Sequence, residues 1–575
     1  MRNTYFSTKK RLFAMFVAIA FIFFVIFLRL GYIQIVWGKK LQTRALEQWT
    51  RDLPVTADRG DITDTNGIVF ASSGTSYTVY VRPNSVSNHS LVAELLSQAL
   101  KLSYQDVYDK VTAKISENTI KRKITVEEAN LIRSYNLEGV YLAADTSREY
   151  VYGDFLSQVL GFVSSDNTGQ SGIEAYYDKY LRGVDGAILT PSDLVGKELE
   201  GESAYYTPPV SGLNVVTTID FRIQRVVENV LDLVMQGHSP KGARCIVVNP
   251  QTGEVLAMSS KPSVDLNNLP RDNIGELMAS TKNMLITDVY EPGSTFKVLT
   301  AAAMLEEYAR GNPKAHSASY VFPNNANFRI VDGSRVKCWT THTSSKHCNQ
   351  NLGDALNNSC NPIFTDIGLS LGKETMYKYL YAFGYGAVSG IDFAGEQAGL
   401  LVAESAVTNG DLARISFGQT IAVTPLQLAM ATSAAVNGGL LMQPYLVKEI
   451  RTQEGELVKK FYPTVRQRTI SEKVSRELAG LLENVVTNGS GKQAYIEGFK
   501  VGGKTGTAQK YENGHIAVGK YVSSFVGFFP ADNPQYLALM LVDEPTGAHY
   551  GSTVAAPYAK MIFQQIINYK NLKPA

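Results

Sequence analysis

An unbroken apolar run of 17 residues, Leu12 to Leu28, constrains the chain more than any other feature. It is long enough to cross a membrane as a helix, although it lies at the short end of the usual range. Arg29 interrupts the run, and Tyr32 and Trp37 suit a lipid–water interface. Basic residues precede the run, which predicts a cytoplasmic tail over 1–11, a membrane anchor over 12–37 and an exported body.

A cleaved signal peptide is the alternative interpretation of this run. It needs a shorter apolar core and small residues at the cleavage site, and no such pattern follows. The sequence has no second run of spanning length, so about 540 residues lie outside the cytoplasm if the orientation holds. The body is ordinary in composition, with 45% hydrophobic and 19% charged residues, which excludes a disordered chain. A net charge of +2 gives no indication of a nucleic-acid partner.

The exported body divides near two consecutive prolines, Pro208 and Pro209, which disfavour helix and central strand. Before them, over 38–205, short β-like runs alternate with polar helical stretches. After them, over 210–575, strands come first, helices dominate the middle and strands return near the end. This order predicts an α+β domain that closes one sheet with both ends of its chain. We expect helices at 224–234, 298–309, 426–437 and 472–486, a hairpin over 245–258, and strands at 522–529 and 536–543.

The first motif that carries chemistry is Ser294-x-x-Lys297, which follows Pro292 and Gly293 at the start of a predicted helix. Residues three apart share a helix face, so the lysine would lie beside the serine. A serine hydroxyl needs a base to become a nucleophile, and a neutral buried lysine can serve. Alone, this spacing is typical of a solvated helix face.

Two further motifs are weak alone but specific in order. Ser359-Cys360-Asn361 places a hydroxyl and an amide where they can relay a proton and hold a substrate amide. In Lys504-Thr505-Gly506-Thr507, residues 504 and 506 share one face of a strand. Lys504 would bring a cation to the cleft, Gly506 would let a substrate backbone approach, and Thr505 and Thr507 would line the binding site. The series S-x-x-K, S-x-N and K-T-G is the signature of penicillin-recognising serine acyltransferases.

With these motifs the chain resembles a class B penicillin-binding protein, a peptidoglycan D,D-transpeptidase of the division and sporulation type. The match extends beyond the active-site motifs. Residues 59–67 and 169–174 resemble elements of the family's non-catalytic pedestal, also called the dimerisation domain. The segments 249–258, 416–428 and 523–528 are similar to blocks of its transpeptidase domain. The resemblance implies an elongated α+β pedestal over 38–205, and over 210–575 an antiparallel sheet packed with helices, as in serine β-lactamases.

The resemblance also implies a mechanism and partners. Ser294, Lys297, Ser359, Asn361 and Lys504 would be catalytic, and residues 505–507 would bind substrate. The substrates would be peptidoglycan stem peptides, and β-lactam antibiotics would acylate the same serine. No cofactor is required for this chemistry. Family members act with a polytopic glycosyltransferase and with division or sporulation proteins, and the sequence does not distinguish these two roles. A β-lactamase, a D,D-carboxypeptidase and a catalytically silent scaffold are the alternative functions on this fold.

Two of the four cysteines lie among histidines, in the segment 338–348. Thiolate and imidazole groups at such density favour zinc. We expect Cys338, His342 and Cys348 as ligands of a structural zinc ion. The candidates for a fourth ligand are His347, which is adjacent to Cys348 and would then point away from it, and Asp288, which we favour. A Cys338–Cys348 disulfide and a loop without metal stay open as alternatives. Cys245 and Cys360 are interpreted as packing residues.

Overall fold

The computed structural model describes residues 2–38, 40–41, 50–191, 205–323, 326–343, 347–512 and 515–574. Within these ranges one helix, Arg2–Ile35, contains a segment long and apolar enough to cross a membrane, Thr8–Ile35. The apolar side chains between Leu12 and Leu28 are exposed, as lipid-facing residues would be. The helix confirms the predicted single span, and it begins inside the stretch predicted as a tail.

The chain divides into two compact units, and each draws on segments that are discontinuous in sequence. The first unit comprises Met1–Asp58, Thr75–Ser147 and Gly183–Ser211, and the second comprises Arg59–Gly74, Arg148–Arg182 and Gly212–Ala575.

In the first unit, helices and strands enclose a small apolar core that includes Val79, Leu96 and Ile132. A separate antiparallel sheet places Gly186–Pro191 between two other strands. One of these, Tyr205–Thr207, extends into the division that the sequence predicts near Pro208 and Pro209, because the two prolines end the strand rather than interrupt it. The elements of this unit are helices His89–Leu100, Tyr104–Val111 and Val126–Tyr135 and strands Thr50–Val55, Asn118–Ile124, Gly186–Pro191 and Tyr205–Thr207. Two longer strands, Val69–Val81 and Val140–Tyr150, each contribute residues to both units.

The second unit is organised around a five-stranded antiparallel sheet. Alternate residues of its strands enter two different cores: Cys245 and Val247 pack into one, and Ile246 and Val248 into the other. Helices therefore cover both faces, which explains why these strands are almost uniformly apolar. The strand order is Val255–Lys261, Gly242–Val248, Tyr536–Asp543, His515–Phe529 and Gly502–Glu512, so both ends of the segment close one sheet, as predicted.

A buried ion-pair network joins two of the motifs noted in the sequence. Arg59 Nε lies 2.5 Å from Glu174 Oε2, and Arg148 Nε lies 2.6 Å from Glu174 Oε1. Arg59 also pairs with Asp178 at 2.6 Å. Because unpaired charges are costly to bury, these groups fix residues 59–74 and 148–182 against each other.

The other elements of the second unit surround the central sheet. Its helices are Ser157–Leu160, Gly172–Tyr176, Asp178–Leu181, Phe221–His238, Ile274–Thr281, Met284–Thr287, Lys297–Ala309, Leu352–Asn357, Asn361–Leu371, Lys373–Ala382, Asn409–Ile415, Pro425–Val436, Glu472–Thr487, Gly551–Val554 and Ala556–Lys570. Its shorter strands are Ile62–Thr63, Asn214–Thr217, Phe328–Val331, Ser334–Lys337, Leu440–Met442, Val447–Arg451, Leu457–Lys460 and Val465–Arg468.

Candidate active site

Ser294 lies in a short 3-10 turn, Gly293–Phe296, that leads directly into the helix Lys297–Ala309. Gly293 has φ +56°, a conformation that favours glycine, and its N–H donates to the carbonyl of Gly418 at 2.9 Å. A Cβ atom added to Gly418 would lie 2.1 Å from the Gly293 carbonyl oxygen. The two glycines thus allow the turn and the 416–420 loop to touch.

Lys297 is completely buried and points at the serine. Its Nζ lies 3.0 Å from Ser294 Oγ, 3.1 Å from Ser359 Oγ and 2.7 Å from Asn361 Oδ1. All of these partners are neutral oxygens, and no carboxylate in the described chain forms a salt bridge with this amine. Burial lowers the pKa of Lys297 to about 8. The amine is therefore available as a base near neutral pH.

The Ser359-Cys360-Asn361 segment forms the turn before the helix Asn361–Leu371. Ser359 has φ +54°, which is uncommon for a residue with a side chain. Asn361 contacts both sides of the site, since its Oδ1 accepts from Lys297 and its Nδ2 donates to the Lys337 carbonyl at 3.1 Å. The turn therefore places a hydroxyl and an amide beside the nucleophile.

Lys504 lies on Gly502–Glu512, the edge strand of the five-stranded sheet. Its Nζ is 3.1 Å from Ser359 Oγ and 3.1 Å from the Thr505 carbonyl oxygen. Burial, and secondarily the charge of Lys297, lower the pKa of Lys504 well below its ordinary value. The structure thus brings the three sequence motifs together beside the edge strand Gly502–Glu512, on the side where this strand has no described neighbour in the sheet.

The reason for glycine at position 506 differs from the one we expected. A Cβ atom there would lie 2.4 Å from Ser524 Oγ and 3.0 Å from Thr295 Cγ2, so the missing side chain makes room for protein atoms. It lets the edge strand pack against the turn that carries the nucleophile. Of its neighbours, the Thr505 hydroxyl donates to Ser490 at 3.1 Å, and the Thr507 hydroxyl accepts from the Gly551 N–H at 3.1 Å.

These residues open into a cavity of about 620 Å³. Several lining residues were not singled out from the sequence, because isolated aromatic and basic residues carry no spacing signal. Phe417 and Gln419 lie in a block that we noted only as a resemblance. The Trp339 ring is 57% exposed and donates through Nε1 to the Asn358 carbonyl at 2.9 Å. Further lining residues are Arg335, Arg414, Ser490, Tyr521, His549 and Tyr550.

Glu291 connects the nucleophile segment to the loop that carries Phe417 and Gln419. Its Oε1 accepts from the Thr420 N–H at 2.9 Å, and Thr420 has φ +65°. Its Oε2 is buried and has no hydrogen-bond partner among the described residues. Burial raises the pKa of the Glu291 carboxyl. Glu291 belongs to none of the three motifs S-x-x-K, S-x-N and K-T-G, so the motifs alone do not identify it as part of the site.

A cysteine and histidine cluster adjoins the cavity. One ligand atom each of Cys338, His342, His347 and Cys360 lies within 4.8 Å of the others. Cys338 Sγ is 3.8 Å from His347 Nδ1, and Cys360 Sγ is 3.7 Å from His342 Nε2. Zn–S and Zn–N bonds of about 2.3 and 2.0 Å give tetrahedral edges of roughly 3.3–3.8 Å, so the four side chains fit a zinc ion with a small contraction.

The structure brings together two of the four predicted ligands. Cys338 and His342 belong to the cluster, whereas Cys348 does not. Asp288 is engaged elsewhere, since it pairs with Lys282 at 2.5 Å and with Arg244 at 3.6 Å. The cluster instead contains His347, the less favoured candidate for the fourth ligand, and Cys360, which we had interpreted as a packing residue. All four cysteines of the chain are free thiols.

Comparison with known proteins agrees with this fold. Residues 243–567 match the family described as the penicillin binding protein transpeptidase domain, and residues 54–217 match the penicillin-binding protein dimerisation domain. The first match alone covers more than half of the chain. The chain therefore belongs to the penicillin-binding protein transpeptidases.

Individual relatives narrow this class. The chain is 39% identical to Stage V sporulation protein D of Bacillus subtilis, covering 100% of this chain and 88% of the relative. It is 26% identical to peptidoglycan D,D-transpeptidase FtsI of Escherichia coli, covering 95% and 89%. In fold it is similar to a peptidoglycan synthetase from Bifidobacterium adolescentis, with a TM-score of 0.73, 24% identity and coverage of 92% and 98%. With the apolar N-terminal helix, these relatives define a single-pass class B penicillin-binding protein.

Proposed function

We propose that the chain is a peptidoglycan D,D-transpeptidase in which Ser294 forms the acyl-enzyme. The observation that carries the assignment is the position of Lys297, a fully buried amine 3.0 Å from Ser294 Oγ. Neutral Lys297 takes the hydroxyl proton while Oγ attacks the carbonyl between the two terminal D-alanines of a stem peptide. The peptide C–N bond then breaks, and D-alanine leaves with a proton on its amine. β-Lactams acylate the same oxygen.

Ser359 lies where it can supply that proton. Its Oγ is 3.1 Å from each of the two lysine Nζ atoms, so it can accept a proton from Lys297 and donate one to the departing amine. Asn361 holds the stem amide, and the N–H groups of Ser294 and Thr507 form the oxyanion hole. The amine of a second stem peptide then attacks the ester carbonyl, forms the cross-link and releases Ser294.

The edge strand supports the binding mode that we propose for the stem peptide. An extended peptide can add to such a strand through backbone hydrogen bonds. Its terminal carboxylate would then reach Lys504, Thr505 and Thr507. Burial disfavours the protonated form of Lys504, and the negative charge of the arriving carboxylate favours that form again. A protonated Lys504 in turn disfavours a second positive charge on Lys297, which keeps Lys297 neutral. Substrate binding thereby prepares the base.

The test is acylation followed by turnover. Ser294→Ala should abolish covalent uptake of a fluorescent penicillin, and uptake at the unchanged rate would contradict the assignment. The unsubstituted protein should join a stem pentapeptide donor to an amine acceptor with release of D-alanine. Hydrolysis without transfer would indicate a carboxypeptidase, rapid penicillin turnover a β-lactamase, and no reaction a silent scaffold.

We also propose that Cys338, His342, His347 and Cys360 hold a structural zinc ion. Hydrogen bonds from Cys360 and from the two histidines lower the pKa of the Cys338 thiol, which favours the thiolate that zinc requires. Four protein ligands leave no open position, so the ion would brace the site rather than activate water. Cys360 lies between Ser359 and Asn361, and Cys338 follows the strand Ser334–Lys337. The ion would therefore tie this strand to the S-x-N turn.

Orientation and partners complete the proposal. The basic residues before the apolar run favour a cytoplasmic N-terminus, with the catalytic unit outside the cytoplasm. The names of two relatives, Stage V sporulation protein D and peptidoglycan D,D-transpeptidase FtsI, support a role in sporulation or in peptidoglycan cross-linking. From the family resemblance, we propose that the chain acts in spore or septal wall synthesis with a polytopic glycosyltransferase and with proteins of the sporulation or division machinery. A deletion strain scored for spore formation and for division separates the two roles. The segments 38–205 and 210–575 stay our predicted pedestal and transpeptidase domains.

A further inference from the structure

The second unit contains another large cleft, with a volume of about 650 Å³, that shares no lining residue with the active-site cavity. One side is formed by residues 176–180, and the other by residues 459–464 after the strand Val447–Arg451. The mechanism proposed above gives this cleft no role. Its lining combines aromatic rings with lysines, and ligand sites are typically concave surfaces of aromatic side chains with a few polar or charged groups.

Aromatic rings provide the walls of the cleft. Tyr177 is buried and stacks edge to face with Phe461, with ring centroids 6.2 Å apart. Around this pair, Tyr462 and Tyr176 are 68% and 47% exposed. Tyr177 and the partly buried Phe461 thus support two exposed rings. Tyr176 packs against Tyr177 at a centroid distance of 5.2 Å, and the Tyr462 ring centroid lies 5.8 Å from Lys460 Nζ, so each ring contacts the protein on one side and keeps an exposed surface. Such rings have an apolar body and a polar hydroxyl, which suits the C–H faces and hydroxyl groups of sugars.

The charge of the cleft is positive. Lys179 Nζ lies 4.7 Å from the ring centroid of Tyr180, and Lys459 Nζ lies 4.7 Å from that of Phe461. Neither ammonium forms a salt bridge with a carboxylate in the described part of the chain. A third lysine, Lys460, is paired with Glu449 at 3.3 Å. Two cations held over aromatic faces are therefore available to an anionic ligand.

The only acid in the described lining does not cancel this charge for a ligand. Asp392 is half-buried, and its oxygens accept from the Tyr177 hydroxyl at 2.6 Å and from the N–H groups of Leu446 and Val447 at 2.6 and 2.9 Å. These hydrogen bonds hold Asp392 at the base of the cleft and occupy both of its carboxylate oxygens, so neither is available to bind a cation. The available chemistry is thus aromatic faces with positive charge.

We propose that this cleft binds the glycan strand of peptidoglycan through its sugar rings and the carboxylates of its stem peptides. The inference rests on the proposed function, because that reaction uses a polymer with both features. Exposed tyrosines contact the sugar faces, and Lys179 and Lys459 pair with carboxylates. A poly(glycerol phosphate) chain would satisfy the lysines but not the rings, so the rings favour glycan. The site would hold a strand while its stem peptides react at Ser294.

The test measures binding of soluble uncross-linked glycan strands to the full chain in detergent, with Ser294 first acylated by penicillin. Acylation closes the active site, so the measurement reports the cleft and is independent of turnover. Tyr462→Ala and Lys459→Glu should each weaken binding about tenfold, the size expected of one ring contact or charge pair. Penicillin acylation rates should stay unchanged. Tyr308→Ala and Lys473→Glu, exposed positions outside the cleft, are the matched controls.

Each outcome decides the proposal. Loss of binding in the cleft variants but not in the controls supports it. Equal binding by all four variants overturns it, and so does equal affinity for poly(glycerol phosphate). A failure of Ser294→Ala to block penicillin would refute the catalytic assignment without altering this binding result, so the two failures are distinguishable.

Discussion

Lys297 and Lys504 share a hydrogen-bond partner, since each Nζ lies 3.1 Å from Ser359 Oγ. Two protonated amines around one buried hydroxyl would repel each other with little solvent to screen them. The pair is therefore stable with one neutral member. Ser359 lies between them and can pass a proton in either direction, which gives this hydroxyl its role in the proposed mechanism.

The first prediction concerns pH. The base must be neutral, and burial lowers the pKa of Lys297 to about 8. The second-order rate of acylation by a fluorescent penicillin should rise about tenfold per unit below that pKa and level off above it. Stopped-flow measurements between pH 6 and 10 check this at about unit intervals. A rate that falls with rising pH in the lower half of this range would contradict the role of Lys297.

Substitution of Gly506 tests the packing of the edge strand. Gly506→Ala places a Cβ atom 2.4 Å from Ser524 Oγ, so we expect a loss of about 1–3 kcal/mol in unfolding free energy and slower acylation. The double variant with Ser524→Ala removes that oxygen and should recover part of both losses. If the single and double variants behave alike, the contact with Ser524 is not the cause. Thermal unfolding and penicillin uptake are the measurements.

Glu291 should position the 416–420 loop through its hydrogen bond to Thr420. Glu291→Ala removes the acceptor and should lower the acylation rate about tenfold, since Phe417 and Gln419 line the cavity. Glu291→Gln keeps an oxygen in place, and burial already disfavours the charged carboxyl, so this variant should stay close to the unsubstituted rate. A Gln variant as slow as the Ala variant would show that the charge matters instead.

The metal proposal predicts about one zinc ion per chain in purified protein. Cys338→Ser and Cys360→Ser should lose the metal, and their unfolding free energy should fall by about 2–3 kcal/mol, because bound ligand stabilises the folded state. Chelation of the unsubstituted protein should have the same effect. Elemental analysis and thermal unfolding measure both.

Cys348→Ser is the matched control for these variants. It removes a thiol from the same loop, but Cys348 lies outside the cluster, so zinc content and stability should persist. Loss of metal from Cys348→Ser and Cys338→Ser, but not from Cys360→Ser, would restore the ligand set expected from the sequence. Retention of metal in all three would refute a thiolate site.

Much of the fold follows from the sequence. The helix Pro425–Val436 lies within one residue of the predicted 426–437 at each end, and Thr424 and Gln427 form a capping box at its start. The helix Phe221–His238 extends beyond the predicted 224–234 because Asp220 caps its first turn. Strands 522–529 and 536–543 occur as predicted, and the first is longer. Periodicity and caps are local, so they can be interpreted without knowledge of the fold.

The metal ligands show what local patterns leave out. His347 and Cys348 are adjacent, and neighbouring side chains tend to point in different directions, so the residue pattern alone provides no basis to choose between them. His347 has φ +63°, a conformation that no residue-type rule requires there. Cys360 is 22 residues from Cys338 and reads as a packing residue within S-x-N. Only the fold brings these two cysteines together.

The discontinuous second unit has a consequence for the order in which the protein matures. Residues 59–74 are synthesised soon after the anchor, yet Ile62–Thr63 pairs with Asn214–Thr217, which in turn pairs with Val447–Arg451. If export follows synthesis, the first of these segments leaves the membrane long before its last sheet neighbour. We expect the unit to reach its final stability only when most of the chain has been translocated, so the early segment depends on chaperones or on the membrane surface for protection until then.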